Sequence, residues 1–183
     1  MKRRFFLLSA MAVLIPTLLQ AKDDPKYLAG AAPLTNGKLV FTKTFDTPDA
    51  DAAFDKVTLW LENRTKTIGG NSAVVLADKE KEQIVAMCTE YLVFTDKILM
   101  LDRSLITYNI YAIVSGGKTE IRVERIRFDY KDEKFLAEEY VADESTLNRK
   151  KTAIIAGYRK FRVHTIDLID TIMKEAEEAL TNK

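Results

Sequence analysis

Two runs of alternating apolar and polar residues flank Gly116–Gly117 in the stretch LITYNIYAIVSGGKTEIRVERIRFDY, residues 105–130. Such alternation is typical of β-strands, and a two-residue Gly-Gly turn predicts an antiparallel hairpin. The register that this turn imposes places four apolar residues opposite one another on one face: Ala112 with Ile121, and Ile110 with Val123. We therefore expect that face to lie against the core and the other face to meet solvent, as in a half-covered antiparallel sheet.

The second face of this hairpin is mixed in character. Its members, called the partner face below, are Tyr111, Ile113, Glu120, Arg122 and Glu124. Amphipathic aromatic and apolar side chains on a rigid sheet suit a protein or peptide partner. We therefore predict that these five residues contact a partner, which is a protein or another component of the cell envelope.

The alternation changes parity after Val123, because the next apolar residues are Ile126 and Phe128. Regular pairing would then direct Arg125 and Arg127 into the core, where an unpaired charge is very unfavourable. One extra residue near Arg125, a β-bulge, would return the apolar side chains to the core and bend the sheet. The alternative is a sheet that is covered on both faces at this end.

The remaining periodicity predicts strands and helices in an order typical of the α+β class. Residues 38–45 alternate as a strand, and residues 72–94 read as two strands joined by a charged turn. Apolar residues recur at helical spacing after Pro48 and again over about 158–180. The order of strand, helix, several strands and helix predicts an antiparallel sheet with helices packed on one face.

The first residues have the layout of a secretory signal peptide. Three basic residues precede an apolar run over 5–19, and Ala21 is followed by charged residues. We predict a signal peptide over 1–21, a linker over 22–37 and a single domain over 38–183. An uncleaved anchor helix or a buried core helix is the alternative for the first segment. The prediction implies export to the periplasm or outer surface of a Gram-negative bacterium, with no transmembrane span after cleavage.

The charge balance gives no general attraction to nucleic acid. The chain has 28 Lys and Arg against 27 Asp and Glu, and loss of the first segment removes three of the basic residues. The mature protein would be slightly negative, so we predict no nucleic-acid partner. Composition does not indicate an oligomeric state.

The residue types needed for many kinds of catalysis are scarce. With one cysteine, Cys88, and one histidine, His164, the chain cannot form an internal disulfide or a His-rich or all-Cys zinc site. The motifs of nucleophile elbows, dinucleotide-binding turns and P-loops are missing from the sequence. We therefore predict no catalytic residues, no cofactor and no metal site. Carboxylate pairs such as Glu120 with Glu124, or Glu138 with Glu139, leave hydrolase activity as an alternative, because some hydrolases need only two acids at a fixed separation.

Three segments in order carry a resemblance to a known family: KLVFTKTFDTPDADAAFDKVTLWLENRT, then VVLADKEKEQIVA, then ITYNIYAIVSGGKTEIRVERIRF. Over about residues 38–130 the chain resembles exported domains of unknown function from Gram-negative gut-type bacteria, whose fold is similar to that of the TATA-box-binding protein (TBP). The resemblance implies a curved antiparallel sheet backed by helices, and it implies no activity. DNA binding does not transfer with a fold, and the partner face carries Glu120 and Glu124 with a single Arg122.

These observations favour an exported, non-enzymatic binding or assembly module that uses a sheet face or a strand edge. The alternative function is a hydrolase of an envelope polymer that uses a carboxylate pair. A self-associating scaffold of the envelope is a third possibility. The ligand or partner is not identified by the sequence.

Overall fold

Antiparallel strands and four α-helices form the protein, which a computed structural model describes over residues 23–97 and 100–181. The strands are β1 (Leu34–Thr35), β2 (Lys38–Leu39), β3 (Phe41–Asp46), β4 (Ala73–Asp78), β5 (Gln83–Lys97), β6 (Met100–Ser115), β7 (Lys118–Tyr130) and β8 (Glu133–Leu136). The helices are α1 (Ala50–Ile68), α2 (Ala137–Tyr140), α3 (Asp143–Thr146) and α4 (Arg159–Thr181), with 3₁₀ turns at Pro25–Tyr27 and Ala156–Tyr158. The main sheet has the order β3-β7-β6-β5-β4, and β8 pairs with β7.

The β6–β7 hairpin has the register that its Gly-Gly turn predicts. Ala112 lies opposite Ile121, and Ile110 lies opposite Val123. All four side chains are fully buried. Gly116 and Gly117 both have positive φ angles, 60° and 75°, as a tight two-residue hairpin turn requires. The prediction of which face meets the core is confirmed.

The predicted bulge is also present. Asn109 pairs with Glu124 while Thr107 pairs with Arg127, so β7 contains one more residue than β6 over this interval. Arg125 has a φ angle of 58° and is exposed. After the bulge, Ile126 and Phe128 are buried on the core side, and Arg127 lies on the other side of the sheet.

Helices cover the core face of the sheet. The buried residues of α1 include Phe54, Val57 and Leu61, which repeat at helical spacing. Those of α4 include Phe161, Ile172 and Ala176, and α4 spans the region where periodicity predicts a helix at about 158–180. The α+β class, with an antiparallel sheet and helices packed on one face, is confirmed. Within the described ranges, no helix is both long and apolar enough to span a bilayer.

The segment that sequence analysis assigned to a linker is packed against the domain. Residues 23–37 contain a 3₁₀ turn and the β1–β2 connection, and Ala32 is fully buried. Its small residues and prolines are typical of linkers, yet its backbone carbonyls are used by a distant helix. The predicted signal peptide, residues 1–21, lies outside the described residues.

Arg162 of α4 provides the reason for this packing. Its guanidinium is fully buried, and it donates to the carbonyl oxygens of Tyr27 at 2.7 Å and Leu28 at 2.9 Å. It also donates to Asp143 Oδ1 at 2.7 Å, and that oxygen accepts from the backbone N–H of Ala32 at 3.0 Å. A buried charge requires a partner and further hydrogen bonds. Asp143 supplies the counter-charge, and the segment before β1 supplies two of the carbonyl oxygens, so this segment folds with the domain.

We expect Asp143→Asn to lower the free energy of unfolding by about 3–5 kcal/mol, because it leaves the buried Arg162 without a counter-charge. Urea unfolding followed by circular dichroism measures the change. Glu178→Gln is the control, since the Lys174–Glu178 pair on the same helix is largely exposed and should matter by less than about 1 kcal/mol. Equal effects of the two substitutions would contradict the account of Arg162.

The same pair predicts a pH dependence. Burial acts to raise the pKa of Asp143, but hydrogen bonds from Arg162 and the backbone outweigh it and lower the pKa below the ordinary value of 3.8. The stability that Asp143 contributes is therefore present above that value and is lost as the pH falls through the folded-state pKa. The stability difference between wild type and Asp143→Asn should accordingly narrow below about pH 4.

Candidate functional site

The sheet surface that faces away from α1 and α4 is called the open face. Alternate residues of β5, β6 and β7 project from it, while their neighbours of opposite parity form the core. On β5 it presents Met87, Tyr91 and Val93, whose exposed fractions are 38%, 54% and 42%. Large apolar side chains are thus left in solvent on the surface of the sheet.

The structure brings the five residues of the partner face together on β6 and β7. Tyr111 pairs across the strands with Arg122, and Ile113 pairs with Glu120. All five are partly exposed, and Arg122 donates to Glu120 Oε1 at 2.5 Å. They form the more polar half of the open face.

Sequence analysis missed the apolar half of the open face. Its members are Met87, Tyr91, Val93, Leu105 and Leu136. The segment that holds the first three was predicted as strand, but apolar residues occupy both of its faces. Alternation could not separate the core side from the outer side there. The register shows it, because Tyr91 lies opposite Leu105 on the outer side of β6.

A cation also lies on this apolar half. The guanidinium of Arg103 stacks over the ring of Tyr91 at 3.8 Å from its centroid. Such stacking favours the planar guanidinium over a lysine ammonium. Arg103 sits opposite Val93 in the β5–β6 ladder. The apolar half therefore combines aliphatic, aromatic and cationic groups.

On the core side of the protein, a groove of ≈ 580 Å³ lies between α1 and α4. Arg64 is at its base with only 8% of its side chain exposed. Its guanidinium donates to Glu175 Oε2 at 2.5 Å and to Glu90 Oε1 at 3.1 Å. Trp60 donates its indole N–H to the same oxygen of Glu175 at 3.3 Å. Arg64 bridges these two carboxylates and ties both helices to β5.

Tyr108 completes this network below Arg64. Its buried hydroxyl accepts from Arg64 Nη2 at 2.8 Å and donates to Glu90. Burial raises the pKa of Tyr108, and it also raises the pKa of the neighbouring Cys88 thiol. A fully buried thiol with a raised pKa is a poor nucleophile. We therefore interpret Cys88 and Tyr108 as structural residues.

The carboxylate pairs considered from sequence are held by local contacts. Glu120 accepts from Arg122, and Glu124 lies 3.7 Å from Arg125. Glu138 accepts from the backbone N–H of Leu39 at 3.3 Å, while Glu139 is exposed.

His164 is the only histidine of the sequence, and the centroid of its ring lies 5.5 Å from that of Phe94. Among residues 23–97 and 100–181, no three His, Cys, Asp or Glu side chains form a group that could hold a metal ion.

Known proteins share this architecture. A model of the family described as a domain of unknown function (DUF4468) with TBP-like fold matches residues 41–129. The crystal structure of a DUF4468 family protein from Bacteroides ovatus superposes with a TM-score of 0.84 at 35% identity, covering 88% of this chain and 97% of that one. The chain belongs to the DUF4468 family. The resemblance stated from the sequence and its TBP-like fold are thereby confirmed.

A second comparison extends the fold of this DUF4468 protein to a more distant relative. A TBP-like protein from Parabacteroides distasonis superposes with a TM-score of 0.69 at 19% identity, covering 82% of this chain and 97% of that one. At that identity the likeness concerns the fold alone. No curated protein matches the chain.

We expect Tyr108→Phe to lower the free energy of unfolding by about 1–3 kcal/mol, because it removes a buried hydroxyl that bonds to both Arg64 and Glu90. The matched control is Tyr111→Phe, whose hydroxyl lies on the open face and accepts one bond of 3.3 Å from Asn109. That change should cost less than about 0.5 kcal/mol. Urea unfolding compares the two variants. The reverse order would show that the Arg64 network contributes little to stability.

Proposed function

We propose that this DUF4468 protein is an exported, non-enzymatic binding module whose open face contacts a protein of the cell envelope. The exposure of Met87, Tyr91 and Val93 in one row of β5 carries the proposal. Contiguous apolar groups on the surface of a soluble domain are typical of interaction sites. Here they occur on the sheet face that the helices of residues 23–97 and 100–181 leave uncovered.

The two halves of the open face match the usual anatomy of a protein interface. Interfaces have an apolar and aromatic centre, enriched in Tyr, Met and Arg, with a polar rim. Met87, Tyr91 and Arg103 provide groups of the first kind. The partner face, Tyr111, Ile113, Glu120, Arg122 and Glu124, provides the rim on the adjoining strands.

Rigidity also supports binding by this face. Strands β5 and β6 pair along most of their length, so the ladder holds the backbone that carries the exposed side chains. A partner that meets a preorganised surface loses less conformational entropy on association than one that meets a mobile loop. A stable sheet is thus suited to hold exposed aromatic anchors.

The hydrolase alternative would need two carboxylates that face a scissile bond. Glu90 and Glu175 line the groove between α1 and α4. Arg64 lies between them and binds both, so it occupies the space where the bond of a substrate would have to lie. The geometry therefore favours binding over hydrolysis.

A photo-crosslinking experiment tests the open face. Benzoylphenylalanine replaces Tyr91 in one variant and Leu59 in the other. These residues are 54% and 59% exposed, one on the open face and one on α1. In cells of the source organism, we expect a discrete crosslinked protein from position 91 and none from position 59. Crosslinks from position 59 alone, or none from position 91, would overturn the proposal. Benzoylphenylalanine at position 111 shows whether the partner face takes part.

Export is tested separately. The full chain with a C-terminal tag should fractionate with the periplasm or the outer surface. Leu14→Arg places a charge in the apolar run of residues 5–19 and should retain the protein in the cytoplasm, because that run must be apolar in a signal peptide. Equal fractionation of both proteins would contradict the signal-peptide assignment.

A further inference from the structure

A depression of ≈ 480 Å³ lies on the open face just beyond the bulge in β7. Its lining includes Thr89, Leu105, Thr107, Arg127, Lys134 and Leu136, together with one carboxylate, that of Asp129, which lies beside Lys134. Thr107 pairs with both Thr89 and Arg127, and Arg127 pairs with Leu136, so four strands contribute adjacent side chains. The depression is therefore built into the sheet.

The two cations that line this depression, Arg127 and Lys134, are available to bind an anion. Among the described residues, Arg127 makes no ion pair or hydrogen bond through its side chain. Lys134 has Asp129 at 3.8 Å as its only ionic neighbour there, and its own side chain is 82% exposed. A planar guanidinium beside two threonine hydroxyls can receive a carboxylate in a bidentate manner.

Apolar groups adjoin these cations. Leu136 is 40% exposed next to Arg127, and Leu105 lies opposite Tyr91. A fully hydrated anion would leave these surfaces in water. A ligand that carries both a carboxylate and an apolar side chain would cover them and gain from their burial.

We propose that this depression binds an acidic segment of the protein partner, with a carboxylate at Arg127 and an apolar side chain between Leu105 and Leu136. The proposal rests on the function proposed above and specifies the chemistry of the partner. Arg103, stacked on Tyr91 and without a carboxylate partner among the described residues, provides a second position for an acidic side chain. The partner segment therefore contains acidic and apolar residues together.

The charge pattern of the open face favours such a segment over a nucleic acid. A phosphate backbone needs a continuous track of cations. Along β7, between Arg127 and the hairpin turn, Glu120 and Glu124 alternate with Arg122. A polyanion that extended from the depression toward the hairpin turn would meet these carboxylates, whereas a short acidic segment would not.

The test measures binding of fluorescein-labelled synthetic peptides to the mature protein by fluorescence anisotropy. Three peptides of equal length alternate Glu with Leu, Lys with Leu, or Glu with Ser, and a single-stranded oligonucleotide is the fourth probe. We expect the Glu-Leu peptide to bind most tightly, with an affinity that falls as salt is raised. Tighter binding of the oligonucleotide or of the Lys-Leu peptide, or binding of none of the probes, would overturn the proposal.

Two charge reversals on the same face locate the site. Arg127→Glu should weaken binding of the Glu-Leu peptide by roughly tenfold or more. Lys118→Glu, at the exposed hairpin end of the same face, should leave it unchanged. An equal loss of affinity for the Glu-Leu peptide in both variants would mean that net charge alone explains the effect. That outcome would overturn the assignment of the site to Arg127. Equal affinity for the Glu-Ser and Glu-Leu peptides would overturn the apolar part of the proposal.

The outcomes also separate this inference from the function on which it rests. If crosslinking at position 91 succeeds while Arg127→Glu has no effect, the open face binds a partner of different chemistry. If position 91 gives no crosslink in cells, the proposed function fails whatever the peptides do. Circular dichroism of both charge variants checks that these substitutions leave the fold intact.

Discussion

The architecture depends on keeping the apolar side chains of one long strand on one side of the sheet. The sequence of β7 changes parity after Val123, and a regular strand would place arginines among the core residues. The extra residue at Arg125 absorbs that change. Because of it, Ile126 and Phe128 continue the core beneath α4 while Arg127 stays on the open face. The same bulge thus positions both the core and the proposed binding depression.

Two buried cations hold the helices in place by different means. Arg162 uses backbone carbonyls of the segment before β1, so it joins the start of the described chain to α4. Arg64 uses the carboxylates of Glu90 and Glu175, so it joins α1 and α4 to the sheet. Buried charges of this kind require complete sets of partners, and those partners come from elements distant in sequence. The polar groups of Arg162 and Arg64 are therefore engaged in holding the fold together.

The open face divides its chemistry between neighbouring strands. Apolar side chains dominate on β5, and charged pairs dominate on β7. This division separates the groups that gain from desolvation from those that set orientation and specificity. In the function that we propose, this TBP-like sheet recognises a protein partner without the continuous basic track that nucleic-acid binding would need.

Local patterns determined much of this protein in advance. The Gly-Gly turn and the alternation around it established the hairpin register, and the parity change indicated the bulge, because both depend on neighbours along the chain. The partner face followed from the same register. The apolar half of the open face could not be predicted from alternation, since β5 is apolar on both sides. Only the packing of the helices decides which side is covered. Local patterns did not predict the packing of residues 23–37 either. The buried guanidinium of Arg162, which requires their carbonyls, lies more than a hundred residues away, and only the folded chain brings the two together.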